Sequence, residues 1–263
     1  MEMKVRQSGF SLMETLLAVG TLAVGLLFVG GTFMTGVYFS TVSTERTVAS
    51  VAAEEAFAKI RLYDPNLNVN SLSAAGFTRY DLIGTAPAAE FLYPSIGQVF
   101  ARQYSWSALC RRDSADLNSR LVRVVVFVCR QGGANSRFWM HETGGFVQSD
   151  LPRPVRVTIA QDTGSPTNEV RVVDAVTVDP VTRDVIDPRT FISDGASIVD
   201  DATGQIYRVL ERLPDRPDTI RLDRDWAGNP ITVDEPGGVW VVPHPVSGGR
   251  NPLVGIYQRV FRF

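Results

Sequence analysis

Apolar residues run almost without interruption from Leu16 to Phe39, thin into a three- and four-residue rhythm as far as Tyr63, and beyond Gln103 give way to short alternating runs. The first stretch carries no charge from Thr15 to Phe39. As a helix it spans about 37 Å, enough to cross ~30 Å of hydrocarbon with some tilt. In the rhythm that follows, Ala49, Ala53, Ala56, Ile60 and Tyr63 recur on one face, widened by Ala52 and Phe57. Glu45, Arg46, Glu54, Glu55, Lys59 and Arg61 form the polar complement. No proline interrupts between Phe10 and Asp64, and Asp64-Pro65 supplies a stop. The pattern therefore predicts one helix over residues 10–64, with 15–39 as the membrane-length part. Glycines at 20, 25, 30, 31 and 36 each weaken that part by up to ~1 kcal/mol relative to alanine. Close helix–helix approach and the ordinary tolerance of glycine in membrane helices both account for them.

Residues 65–100, rich in Asn, Ser, Ala, Gly and Pro, show no period and are expected to wrap over the surface. Gln103–Cys110, Arg120–Cys129, Arg153–Ala160 and Glu169–Val178 read as strands. In Arg120–Cys129 both alternating sets are mostly apolar, which marks a central strand covered on at least one face, with the amphipathic half of the long helix as its natural cover. Tyr104 and Trp106 share a strand face, as an aromatic platform or as sheet packing. After Asp187-Pro188 the texture changes to Thr190–Asp200, Gln205–Arg212, Thr219–Arg224, Val239–Pro243 and Leu253–Phe263, short strands punctuated by turn dipeptides. These suggest a small barrel or sandwich over 189–263, appended to a sheet over 65–188, with the last strand a candidate to return to the first sheet. The fold class is α+β.

Composition narrows the function classes. Charged residues make up 21% and hydrophobic ones 44%, and the formal net charge of −2 offers no steering toward nucleic acid. Lysine occurs only at Lys4 and Lys59, so arginine supplies nearly all the cations for pairing with aspartate. Cys110 and Cys129 are too few for a disulfide scaffold or a zinc site. If the two flanking strands pair about a loop near Ala115, Cys110 faces Leu121 and Cys129 lies ~26 Å further along, so a bridge requires a different pairing.

No catalytic constellation emerges. His141 and His244 are the only histidines, and His141-Glu142 lacks a second histidine four residues on. Gly195-Ala196-Ser197-Ile198-Val199 lacks the second flanking glycine of a nucleophile elbow. Asp223, Asp225, Asn229 and Asp234, or Asp179, Asp184 and Asp187, offer oxygen ligands for calcium but lack its glycine-spaced loop, and solvated turn aspartates account for them. The chain is read as a non-enzyme without metal or cofactor.

One carboxylate stands out. Glu14 lies at the mouth of the apolar helix, where an ionised group is costly unless it has a partner. Lys4 and Arg6 precede the span and hold that end in the cytoplasm, so the bulk of the chain is extracytoplasmic. The one small-residue junction lies before the apolar run, so the anchor survives processing there. Gly9-Phe10-Ser11-Leu12-Met13-Glu14 and the continuation from Leu16 to Leu27 resemble the type IV prepilin superfamily, and are similar to V-type minor pilins and I-type pseudopilins of type II secretion. The resemblance covers about 20 residues; beyond them the chain matches only in architecture.

The resemblance implies a leader over residues 1–9 and cleavage between Gly9 and Phe10 by a prepilin peptidase. It also implies methylation of the Phe10 amine and an assembly role for Glu14, whose carboxylate neutralises the amine of a neighbouring subunit. It implies a long helix packed on an antiparallel sheet, pilin or pseudopilin partners, a single-pass inner-membrane location with a periplasmic or extracellular head, and secreted cargo as a further partner. Two alternatives remain: a non-polymerising anchored module that binds a glycan or surface protein, and a surface hydrolase built on a cleft that gathers carboxylates or on a serine with His141 or His244.

Overall fold

The computed structural model describes residues 11–95, 103–116, 119–133, 135–142, 145–179, 182–228 and 231–263. They form two compact units that part between Thr47 and Val48. One helix, α1, runs Leu12–Tyr63. Among the described residues of the first unit it is the only element, and its apolar side chains, from Leu12 to Phe39, are exposed. It is the one helix among the described residues long and apolar enough to cross a membrane. The hydroxyls of Thr21, Thr32, Thr35 and Thr41 donate back to carbonyls three or four residues earlier, at 2.9–3.0 Å. They thus bring no unpaired donor to an apolar surrounding.

In the second unit the later part of α1 covers a sheet. Ala49, Ala52, Ala53, Ala56, Phe57 and Ile60 are buried against Trp106, Ala108 and Cys110 and the even-numbered valines 122 to 128. The strands are β1 (Thr78–Arg79), β2 (Leu92–Tyr93), β3 (Tyr104–Arg112), β4 (Leu121–Arg130) and β15 (Leu253–Arg262), in order β1-β3-β4-β15 with β2 also on β3, all antiparallel. The opposite face of β3 and β4, with Leu109, Val125, Phe127 and Cys129, packs on Val199, Trp240 and Val242. The central strand is apolar on both faces because both faces are covered.

The second cover is a closed barrel. Its strands are β7 (Val155–Ala160), β8 (Glu169–Val172), β11 (Ser197–Asp200), β12 (Ile206–Arg212), β13 (Thr219–Leu222) and β14 (Gly237–Val241), in order β11-β12-β13-β8-β7-β14. Val155, Val157, Ile159, Ile198, Tyr207, Ile220, Leu222, Val239 and Val241 fill a core rather than a channel. A hairpin, β5 (Phe138–Glu142) with β6 (Gly145–Ser149), and a pair, β9 (Thr177–Val178) with β10 (Val185–Ile186), complete the strands.

Several sequence expectations need correction. The barrel takes β7 and β8 from before residue 188, so the sheet and the barrel do not divide there; the chain leaves the sheet after Arg130 and returns at Leu253. Turn dipeptides mark strand ends but carry no information about which sheet a strand joins. Residues 65–95 do more than wrap: β1, β2 and a short helix, α2 (Tyr80–Ile83), lie in this stretch, and Leu67, Leu72, Phe77, Tyr80 and Phe91 are buried. Thr190–Asp200 is a 3-10 turn at Pro188–Phe191 followed by β11. Glu169–Val178 splits into β8 and β9.

Lys59 leaves the polar face for the interior, with Nζ 2.8 Å from Glu55 Oε1, 2.9 Å from Glu90 Oε2 and 2.8 Å from the Glu90 carbonyl. Trp106 is core, its ring 4.7 Å from Phe91 and its Nε1 bonded to the Glu90 carbonyl. The β3–β4 register pairs Cys110 with Val124 and Ser105 with Cys129, three residues away from the expected alignment. The two thiols lie on opposite faces of the sheet, free and buried, and burial pushes both well above the ordinary thiol range.

Candidate functional site

Gly9 and Phe10 lie outside the described residues. Glu14 occupies the first turn of α1 and is exposed. Its main-chain N–H donates to Ser11 Oγ at 3.2 Å and to the Ser11 carbonyl at 3.0 Å. Ser11 is therefore the N-cap and Glu14 stands three residues inside, the main-chain half of a capping box. This gives the acid a local role beside any assembly role: it favours the start of the helix, where the macrodipole is positive. None of the glycines at 20, 25, 30, 31 and 36 has an atom within 4 Å of the place a Cβ would take, so among the described residues none serves packing within this chain.

The two histidines have different surroundings. His141 is exposed and meets Phe146 edge-on. His244 is not isolated: Nε2 lies 2.6 Å from Ser193 Oγ and Nδ1 lies 3.1 Å from the Gly249 carbonyl. Since a carbonyl only accepts, Nδ1 carries a proton, and in the neutral ring Nε2 then accepts from the serine, the tautomer a general base requires. A main-chain carbonyl stands where a triad has a carboxylate.

Three of the aspartates considered for calcium are bonded within the protein, and Asn229 lies outside the described residues. Asp223 Oδ1 accepts from the Arg208 N–H, and Asp225 Oδ1 from Thr167 Oγ1. Asp187 caps the 3-10 turn and pairs with Arg189, whose guanidinium holds the carboxyl below its usual range. Among the described residues no three His, Cys, Asp or Glu side chains gather as a metal site.

Sequence reasoning missed a built cleft in the second unit. It has a volume of about 520 Å³, and its walls include Phe77, Leu82, Phe146, Arg156, Asp174 and Trp240. Asp201 organises it from behind. Its carboxylate accepts from the Phe77 N–H (2.8 Å), Trp240 Nε1 (2.7 Å) and Arg156 Nε (2.8 Å), and the residue is buried. Three walls are thus fixed by one buried, fully bonded acid. Arg156 and Trp240 are cross-strand neighbours of β7 and β14, as are Thr158 and Gly238. A Cβ on Gly238 would stand 2.5 Å from Arg156 Cζ, so the glycine lets the guanidinium lie flat across the sheet. On the far wall Arg79 is spent on Asp81 (2.5 Å) and the His141 carbonyl (2.6 Å), and Arg153 also bonds to Asp81. Asp201 and its partners are separated by 39 to 124 residues, and no local pattern announces them.

No protein-family model, curated protein or solved structure matches this chain.

Proposed function

We propose that this chain is a minor pilin or pseudopilin, an assembly subunit of a type IV pilus or type II secretion fibre with a pilin-like fold. The observation that carries this reading is the division of α1. Its residues from Leu12 to Phe39 leave large apolar side chains uncovered, whereas Ala49 to Ile60 is buried against an antiparallel sheet. A patch of that size must be covered, by lipid while the subunit is an anchor and by neighbouring subunits once it enters a fibre. Prepilin peptidase cuts before Phe10 on the cytoplasmic side. Glu14 then meets the new amine of an adjacent subunit, since two opposite charges near an apolar rod offset each other's lost hydration only when both are present. Other pilins or pseudopilins are the partners, the inner membrane is the starting compartment, and the head faces the periplasm or the exterior, where secreted cargo is a further partner.

Mass spectrometry of the protein from its native host tests this directly. The expected mature chain starts at N-methylated Phe10, and an intact Met1 end overturns the proposal. The alternative of a static anchored module is separated by shear: a fibre component leaves with the fibre, whereas an anchor stays with the membrane fraction. The hydrolase alternative draws on the Ser193–His244 hydrogen bond, and it requires that pair to meet a substrate and a group that stabilises an oxyanion.

A further inference from the structure

We propose that the cleft over β7 and β14 binds an acidic sugar residue, a uronic or sialic acid, through the guanidinium of Arg156. The cleft lies wholly in the unit beginning at Val48, so this proposal stands or falls separately from the fibre reading. Its volume of about 520 Å³ falls within the range of small-ligand sites, roughly 300–1,000 Å³.

Arg156 is held in place before any ligand arrives. Asp201 takes its Nε, Gly238 gives it a flat bed, and its side chain remains 46% exposed. The two terminal nitrogens make no hydrogen bond to another described residue. They present a fork of the kind that matches a carboxylate.

The other walls define the rest of the ligand. Asp174 accepts the Thr158 N–H with Oδ2 at 2.7 Å and has Oδ1 left for a ligand hydroxyl. Thr78, Thr158 and Thr177 line the cleft, and their hydroxyls bond to no other described residue. Phe146 and the exposed Leu82 supply an apolar wall, with Phe77 and Trp240 beside it. A second anionic charge on the ligand is disfavoured, because Asp174 repels it and Arg79 is already committed to Asp81. One carboxylate, several hydroxyls and an apolar C–H face together describe an acidic sugar.

The test uses full-length protein in detergent, with methyl glucuronoside, N-acetylneuraminic acid, neutral methyl glucoside and a glutamate-rich peptide as probes. Binding is read by saturation-transfer NMR and by Trp fluorescence. At least one acidic sugar is expected to bind saturably, and the neutral glucoside at least about tenfold more weakly. Arg156→Gln is expected to weaken acidic-sugar binding by roughly ten- to a hundredfold. Because that change also takes a partner from Asp201, Leu82→Trp provides a second variant at a rim position that is 68% exposed. It is expected to obstruct the cleft and reduce binding with the unfolding temperature unchanged. Equal binding of the neutral and acidic sugars, absence of binding by both acids, preference for the peptide, or full binding by both variants overturns the proposal.

Discussion

Glu14 and Asp201 are both carboxylates beside apolar surface, and their neighbours give them different work. Asp201 is buried with three donors inside 2.8 Å and acts as a fixed joint. Glu14 is exposed, and among the described residues the hydrogen bonds at its position, both to Ser11, are made by its main chain. Its side chain is therefore available to a partner outside the chain. Glu14→Gln tests the assembly role, because glutamine also suits the third position of a capping box and gives up only the ~0.3–1 kcal/mol that the charge gains from the helix dipole. The expected result is unchanged helix content and membrane insertion with reduced recovery in sheared fibres. Normal recovery would assign Glu14 to capping alone. The sequence made Glu14 conspicuous because its cost is local, a charge beside an oily run. Asp201 was invisible because its worth depends on Phe77, Arg156 and Trp240, which only folding brings near.

At the level of elements, periodicity revealed what a face buries but not what it is buried against. The alanine stripe of α1 and the doubly apolar β4 were readable, since each is a statement about one segment and its period. The β3–β4 register was not. A three-residue change of register moves every cross-strand pair without changing either strand's own sequence pattern. The β5–β6 hairpin was missed for a related reason: Phe138, Trp139 and Met140 form a short run without sustained alternation.

The two parts of α1 respond differently to substitution. Gly25→Leu meets nothing within 4 Å and removes a weak helix former, so thermal unfolding of the head is expected to stay within about 0.5 kcal/mol of wild type. If the glycines serve close approach between subunits, the same change lowers fibre recovery. Phe57→Ala should instead destabilise the head by about 3–5 kcal/mol. It vacates a buried site that packs on Phe261, with ring centroids 5.6 Å apart, and lies under the Arg259 guanidinium. Calorimetry of the two variants distinguishes a position that packs within the chain from one that does not.

In the second unit as a whole, the barrel is an insertion into a sheet. The chain departs after Arg130 and returns at Leu253, and its two ends meet where the Arg130 N–H donates to the Pro252 carbonyl at 2.7 Å. Because Leu109, Val125 and Phe127 are buried against the barrel's outer residues, the insertion is also a structural cover and cannot be excised without exposing that face. A chain ending at Pro252 keeps every barrel strand but loses β15. It is expected to show a protease-sensitive head, since β4 then offers one edge from Leu121 to Cys129 unpaired. A protease-resistant head in that truncation would contradict the account.

The order in which the ribosome makes these parts adds a temporal constraint. β4 emerges early, yet the strand that completes its hydrogen bonding emerges only after all of residues 131–252. Closure of the sheet must therefore wait for distant sequence, a slow step with a long exposure to wrong pairings. The barrel, with all six strands between Val155 and Val241, can close first and shield one side of the waiting strand. Arrival of β15 then registers that synthesis has passed the whole insertion, because until that moment the polypeptide displays a bare strand edge along β4.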